Sequence, residues 1–187
     1  DMPLCVMTRK PRQTRLTYRT NAVYTFNVPA FCWKMAQSRL YINGGGSLIQ
    51  DVTSQRSLWF YLFTLSAARR MGCKVMMYGC GIGPVSHPAS RRRTAKVIDR
   101  TVEVVTLRDS ASMDELRAIG VSKPELVLAA DPAVTLTPAS QESADAVLSK
   151  AGLKPAEDQR YLGVTVRPWS GFKAKVPVIA AAIDYAY

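Results

Sequence analysis

Residues 39–80, RLYINGGGSLIQDVTSQRSLWFYLFTLSAARRMGCKVMMYGC, decide the fold. RLYIN (39–43) has the residue types of a short pleated strand and runs into Gly44, Gly45, Gly46 and Ser47. After LIQDVTS a long apolar helix starts near Ser54, a good N-cap, and continues to about Met71, where Gly72 stops it. KVMMYGC (74–80) is the next strand. Strand, loop, helix and strand at this spacing form a βαβ unit, whose two strands run parallel.

The unit repeats downstream. GIGPVSHP is a loop, residues 89–100 with Arg91, Arg92 and Arg93 are a helix, and VEVVTLR (102–108) is a further strand. Asp109 or Ser110 caps a helix through Ile119, and Gly120 ends it before the strand LVLAA (126–130) and Asp131-Pro132. Upstream, LCVMT (4–8) and AVYTF (22–26) read as short strands, the basic stretch from Arg9 to Arg19 as a loop over the sheet edge, and Pro29 to Ser38 as a helix. The expected fold class is α/β, a Rossmann-like parallel sheet with helices on both faces. This N-terminal domain spans 1–138, a connector with a polar helix (about 139–151) spans 139–160, and YLGVTVR (161–167) opens a second domain over 161–187. The chain opens at Asp1 and closes inside the Ala-rich VPVIAAAIDYAY, which reads as a fragment with a truncated second domain.

The chain of 187 residues is 48% apolar and 21% charged, an ordinary globular composition that excludes disordered and fibrous classes. No run of eighteen apolar residues is present, so no bilayer-spanning helix is expected. The net charge of +11 is uneven: residues 1–100 carry 16 basic and 3 acidic side chains, so an anionic partner is expected at one face. Phosphate esters, a nucleic acid and an acidic membrane surface all fit; without an RNP or KH-type signature, no nucleic acid is expected. Cys5, Cys32, Cys73 and Cys80 form no CxxC pair and His87 is the one histidine, so neither a metal nor a cofactor is expected. The cysteines read as reduced core thiols of a cytoplasmic protein.

Ligands of open α/β sheets gather at the carboxyl ends of the strands. There Gly44, Gly45 and Gly46 permit close backbone approach, and Ser47, Gln50, Asp51, Thr53, Ser54 and Arg56 add polar groups beside a helix N-terminus. The cluster suits a phosphate or a sugar; the alternative is a tight turn that needs glycine for packing. It lacks the spacing of a dinucleotide fingerprint. Gly81 and Gly83 lie in a second glycine loop, either a ligand contact or a plain strand-to-helix turn. Arg108 stands at a strand end, where it either forks onto a carboxylate or phosphate or pairs with Asp109 or Asp114. Arg167 invites the same two readings, and Asp131 is either an acid or base or only a turn residue. The arginines at 91–93 read first as a solvated helix face and second as a contact to anionic lipid or a diphosphate. LWFYLF (58–63) with Arg69 and Arg70 reads first as buried in the sheet layer and second as a membrane-docking segment.

GGGSLIQDVTSQRSL resembles the polysaccharide pyruvyl transferase family, particularly its bacterial cell-wall members. The likeness continues through KVMMYGCGIGP, VTLRDSAS, RAIGV, AADPA and LGVTVRPW, from about Leu4 to Trp169. The resemblance implies an enzyme that moves the enolpyruvyl group of phosphoenolpyruvate onto two hydroxyls of a sugar, forming a cyclic pyruvate ketal and releasing phosphate. It implies a GT-B-like pair of Rossmann-like domains around a cleft, and an acceptor sugar on a lipid carrier at the cytoplasmic leaflet, where the protein would sit peripherally. Under this resemblance Arg108 holds the donor, and Asp51 and Asp131 are the local candidates for general acid and base. The family's first strand and its glycine- and asparagine-containing loop have no counterpart before Asp1, and His87 does not match its catalytic histidine, so the chain is expected to be inactive by itself. A GT-B nucleotide-sugar glycosyltransferase and a non-catalytic anion-binding domain remain as alternatives.

Overall fold

The computed structural model describes residues 3–153, 162–166 and 171–186. The chain divides into two compact units, Asp1–Leu136 and Thr137–Tyr187. The first contains β1 (Cys5–Thr8), α1 (Pro11–Tyr18), β2 (Asn21–Tyr24), α2 (Val28–Ala36), β3 (Leu40–Asn43), β4 (Gly46–Ile49) and α3 (Gln55–Arg70). It continues with β5 (Lys74–Ile82), α4 (Pro88–Thr101), β6 (Val104–Leu107), α5 (Ser110–Ala118), β7 (Glu125–Leu128) and a 3-10 turn at Pro132–Thr135. The second unit contains α6 (Gln141–Lys150) and α7 (Phe172–Ala186). The fold class is α/β with a Rossmann-like parallel sheet, as the alternation of strands and helices predicts. Every strand pairing is parallel, and β5, β6 and β7 are successive neighbours in the sheet.

Long helices cover these strands because each carries an apolar stripe. Leu58, Leu62 and Leu65 recur at helical spacing on α3 and are buried, with α3 packed against β3, β4, β5 and α4. Val75 and Met77 of β5, Val105 and Leu107 of β6, Ile98 of α4 and Leu116 of α5 complete one continuous core. The ends of α3 and α5 fall just before Gly72 and Gly120, as expected. Cys73 and Cys80 lie in the core, whereas Cys5 and Cys32 are half-buried, and all four are free thiols.

Four sequence expectations change. Arg9 to Arg19 is not a loop: Pro11 starts α1, and Arg19 closes it in the left-handed conformation at φ 50°. The physical signal was topological, since β1 and β2 pair in parallel, Cys5 opposite Asn21, and parallel neighbours need a crossover. The strand expected over 161–167 is absent from its described part, residues 162–166. The glycine triplet is not a loop past a finished strand. Asn43 pairs with Met77 and Gly46 with Cys80, so β4 continues the edge that β3 begins along β5, and Gly44 and Gly45 bridge the two. Likewise β5 runs on to Ile82, carrying Gly79 and Gly81 inside the strand.

The β5–β6 register slips between Met77 and Cys80, leaving one extra residue on β5. Gly79 absorbs it at φ +61°, and its N–H donates to Thr106 Oγ1 at 2.7 Å. A Cβ on Gly79 would lie 2.5 Å from the ring of Pro132, which opens the 3-10 turn. Both the backbone and the rigid ring resist a side chain there. Gly79→Ala is therefore expected to destabilise the protein by about 2–4 kcal/mol, measured by urea unfolding. A loss within about 0.5 kcal/mol would show that the bulge and the proline move freely.

Candidate active site

Arg108 directly follows β6, where its N–H donates to the Cys80 carbonyl at 3.3 Å. This anchors the residue at the carboxyl edge of the sheet, and its side chain then crosses β5. Nη1 donates to Asp131 Oδ2 at 2.7 Å, beyond β7, and Nη2 donates to Ser47 Oγ at 3.2 Å, on β4. Ser47, Arg108 and Asp131 thus come from three different strand segments onto one spot.

The crossing is possible because of Gly81. A Cβ there would lie 2.8 Å from Ser47 Oγ and 3.1 Å from both Arg108 Nε and Nη2. The position has no positive φ, so the need for glycine is one of space alone. Gly45 extends the same bare surface, since its Cβ would lie 3.2 Å from the Gly79 carbonyl oxygen. Thr106, holding the Gly79 N–H, and Ser112, whose hydroxyl accepts the Ile82 N–H at 2.7 Å, fix the end of β5 on either side of Gly81.

Arg108 and Asp131 form an ion pair at the sheet edge. The Arg108 and Asp131 side chains are 33% and 37% exposed, so the ion pair adds little stability and its effect is to orient the guanidinium. The N–H of Ala133 and the Arg108 guanidinium hold the Asp131 carboxyl below its ordinary range. Asp131 is accordingly a carboxylate at neutral pH and not a proton donor. Beneath Arg108, burial pushes the Cys80 thiol up to about 11 against the opposing pull of the guanidinium, so Cys80 is a neutral core group. Arg108 pairs with neither Asp109 nor Asp114: Asp109 caps α5 through the Ser112 N–H at 2.7 Å.

The remaining candidates fall elsewhere. The Asp51 carboxylate accepts the N–H groups of Ser86 at 2.8 Å and His87 at 3.0 Å, the residues leading into α4. Burial alone raises its pKa, but those two amides outweigh it and hold Asp51 below the ordinary range. It supplies from another loop the anionic cap that α4 lacks in its own first turn. Gln50 packs under Gly83, whose Cβ would lie 2.7 Å from Gln50 Cβ, so these two join the loop after β4 to the loop after β5. Ser54 caps α3 by accepting the Ser57 N–H at 3.3 Å, while Thr53 and Arg56 are exposed. A Cβ on Gly44 would meet open space, and Gly46 lies inside β4. Arg167 lies outside the described residues. Among the described residues no group of His, Cys, Asp or Glu is placed to hold a metal ion.

Sequence reasoning passed over Asn43, Thr106, Ser112 and Glu115. Glu115 accepts the Val85 N–H at 3.2 Å and pairs with Arg91 at 2.8 Å, so the first arginine of the 91–93 run is structural. Asn43 ends β3 with its Nδ2 buried and without a hydrogen-bond partner. Its place at a strand end, like that of Arg108, was the available signal.

The site thus defines an α/β protein that presents an arginine, fixed at two points, where parallel-sheet proteins bind their ligands. The family model for polysaccharide pyruvyl transferase matches residues 1–183, and the chain belongs to that family of transferases. Comparison with curated proteins and with solved structures gives no significant match.

The reading of Asp51 as a helix cap makes a pH-dependent prediction. A carboxyl whose folded pKa is depressed stabilises the fold above its unfolded value and loses that contribution as pH falls. Asp51→Asn is expected to cost about 1–2 kcal/mol at neutral pH. Measured by thermal unfolding across pH, the gap between the wild type and the variant should close below the ordinary aspartate value of 3.8. A gap independent of pH would contradict the charge's role.

Proposed function

We propose that this chain carries the donor side of a pyruvyl transferase, with phosphoenolpyruvate as the donor and Arg108 as its anchor. The observation that carries the reading is the guanidinium of Arg108, held by Ser47 and Asp131 across the bare backbone of Gly81. Phosphoenolpyruvate bears a carboxylate and a phosphate, and a guanidinium matches either by paired N–H donors. Fixing the side chain beforehand reduces the rotamer entropy lost on binding.

The reaction needs a proton delivered to the methylene carbon of the donor and protons removed from two sugar hydroxyls. The central carbon gains two bonds to hydroxyl oxygens and loses both its π bond to the methylene carbon and its bond to the phosphate oxygen, which leaves as inorganic phosphate with the second hydroxyl proton. Arg108 stabilises negative charge on the donor as this bond breaks. Asp131, kept as a carboxylate, is suited to accept a hydroxyl proton beside it. Asp51 is engaged by two backbone amides and acts as a structural cap. The acceptor we propose is a cell-wall or exopolysaccharide sugar on a lipid carrier.

The test is phosphate release from phosphoenolpyruvate by the intact gene product in the presence of a lipid-linked disaccharide, together with the shift in thermal midpoint caused by phosphoenolpyruvate. Ketal formation and a raised midpoint are expected. A midpoint raised by a nucleotide-sugar and not by phosphoenolpyruvate would overturn the assignment in favour of a glycosyltransferase. Arg108→Ala is expected to weaken donor use about a hundredfold, or about 2–3 kcal/mol, read in kcat/KM. Gly81→Ala should leave stability within about 1 kcal/mol, because only flexible side-chain ends must shift, yet lower donor use by about tenfold or more by displacing the guanidinium. Unchanged kinetics in both variants would remove Arg108 from the donor site.

A further inference from the structure

The seam between α3 and α4 holds a groove of about 820 Å³ that shares no residue with the Arg108 cluster. Its floor is apolar, made by Trp59, Leu62, Phe63 and Val97, and Phe63 stays 43% exposed. Its rim is basic, with Arg69, Arg70, Arg92, Arg93, Lys96 and Arg100, and no acidic residue is among its lining. Arg93 lies over the Trp59 ring at 4.6 Å, with its charged end above the aromatic face. Among the described residues, the ion pair at the rim joins Arg69 to Glu103 at 2.9 Å. Gathering so many like charges costs free energy unless an anionic partner neutralises them.

We propose that this seam docks the protein on an anionic phospholipid bilayer. Aromatic and aliphatic side chains between rows of arginine and lysine match the boundary between acyl chains and headgroups. Arg92, Lys96 and Arg100 follow one another at four-residue intervals, so they line one face of α4 over roughly 12 Å. That row is spread for several headgroups side by side, not folded around one phosphate. The lining lies mostly along the sides of two helices, with Ala89 in the first turn of α4. A second copy of the same face is disfavoured, because it would oppose cation to cation. Single-stranded nucleic acid needs free aromatic faces for stacking, whereas the Trp59 ring is covered by Arg93. The inference goes beyond the proposed reaction and does not depend on it.

The experiment is sedimentation of the chain with phosphatidylcholine vesicles and with vesicles in which part of the phosphatidylcholine is replaced by phosphatidylglycerol. Binding is expected only to the anionic vesicles, and it should weaken as salt is raised. The combined variant Arg92→Glu, Lys96→Glu, Arg100→Glu should bind about a hundredfold more weakly or worse. If that variant does not fold, Arg92→Gln, Lys96→Gln, Arg100→Gln with a wild-type circular dichroism spectrum replaces it and should also lose binding. Arg108→Ala should sediment like the wild type, which separates a failure at this surface from a failure of the donor site. The proposal is overturned by equal binding to both vesicle types or by no vesicle binding at all. It is also overturned by a folded groove variant that binds like the wild type, by competition from soluble glycerol phosphate, or by preference for an RNA oligonucleotide over anionic vesicles.

Discussion

A guanidinium that starts on β6 and ends on β4 must pass over β5, and β5 admits it only where it has no side chain. Gly81 provides that gap, and the proximity of its bare backbone to Ser47 Oγ and to Arg108 Nε and Nη2 sets where the charge can rest. The rest of the site follows from this constraint. Gly79 takes up the extra residue of the β5–β6 bulge, Thr106 pins its N–H, and Pro132 packs where a side chain would stand. The same packing brings Asp131 to Arg108, because the residue that precedes Pro132 is the one that reaches the guanidinium.

The two aspartates that the sequence offers as an acid and base pair have different surroundings and different roles. Asp131 faces a cation at the sheet edge, while Asp51 faces two backbone amides at the start of α4. Both are held as carboxylates, but only Asp131 shares a hydrogen bond with the proposed anion anchor. The proton chemistry we propose is accordingly one-sided within these residues, with Asp131 as acceptor. The basic front half also divides. Arg91 is tied to Glu115 and the Val85 carbonyl, whereas Arg92 and Arg93 face the groove between α3 and α4, where LWFYLF contributes Trp59, the buried Leu62 and the exposed Phe63.

Apart from β4, the order of strands and helices from Leu40 to Leu128 was legible because apolar runs, caps and terminating glycines recur at regular spacing. Arg108 was legible as a candidate for the same reason, since a charged side chain at a parallel strand end is a local signal. Its partner was not: Asp131 is distant in sequence, and only the strand order brings it closer than Asp109 or Asp114. The glycine triplet misled because glycine favours turns in isolation, while here long-range pairing with β5 draws Gly46 into a strand. Helix α1 was hidden by its polar surface, which buries no residue and leaves no apolar stripe to read.

Crystallography of the protein with phosphoenolpyruvate bound tests most directly whether Arg108 anchors the donor. The account predicts a carboxylate or phosphate oxygen of the donor within about 2.7–3.0 Å of the Arg108 guanidinium, above Gly81 and beside Asp131. Donor density elsewhere on the chain, with the Arg108 contacts to Ser47 and Asp131 unchanged and closed to it, would contradict the account.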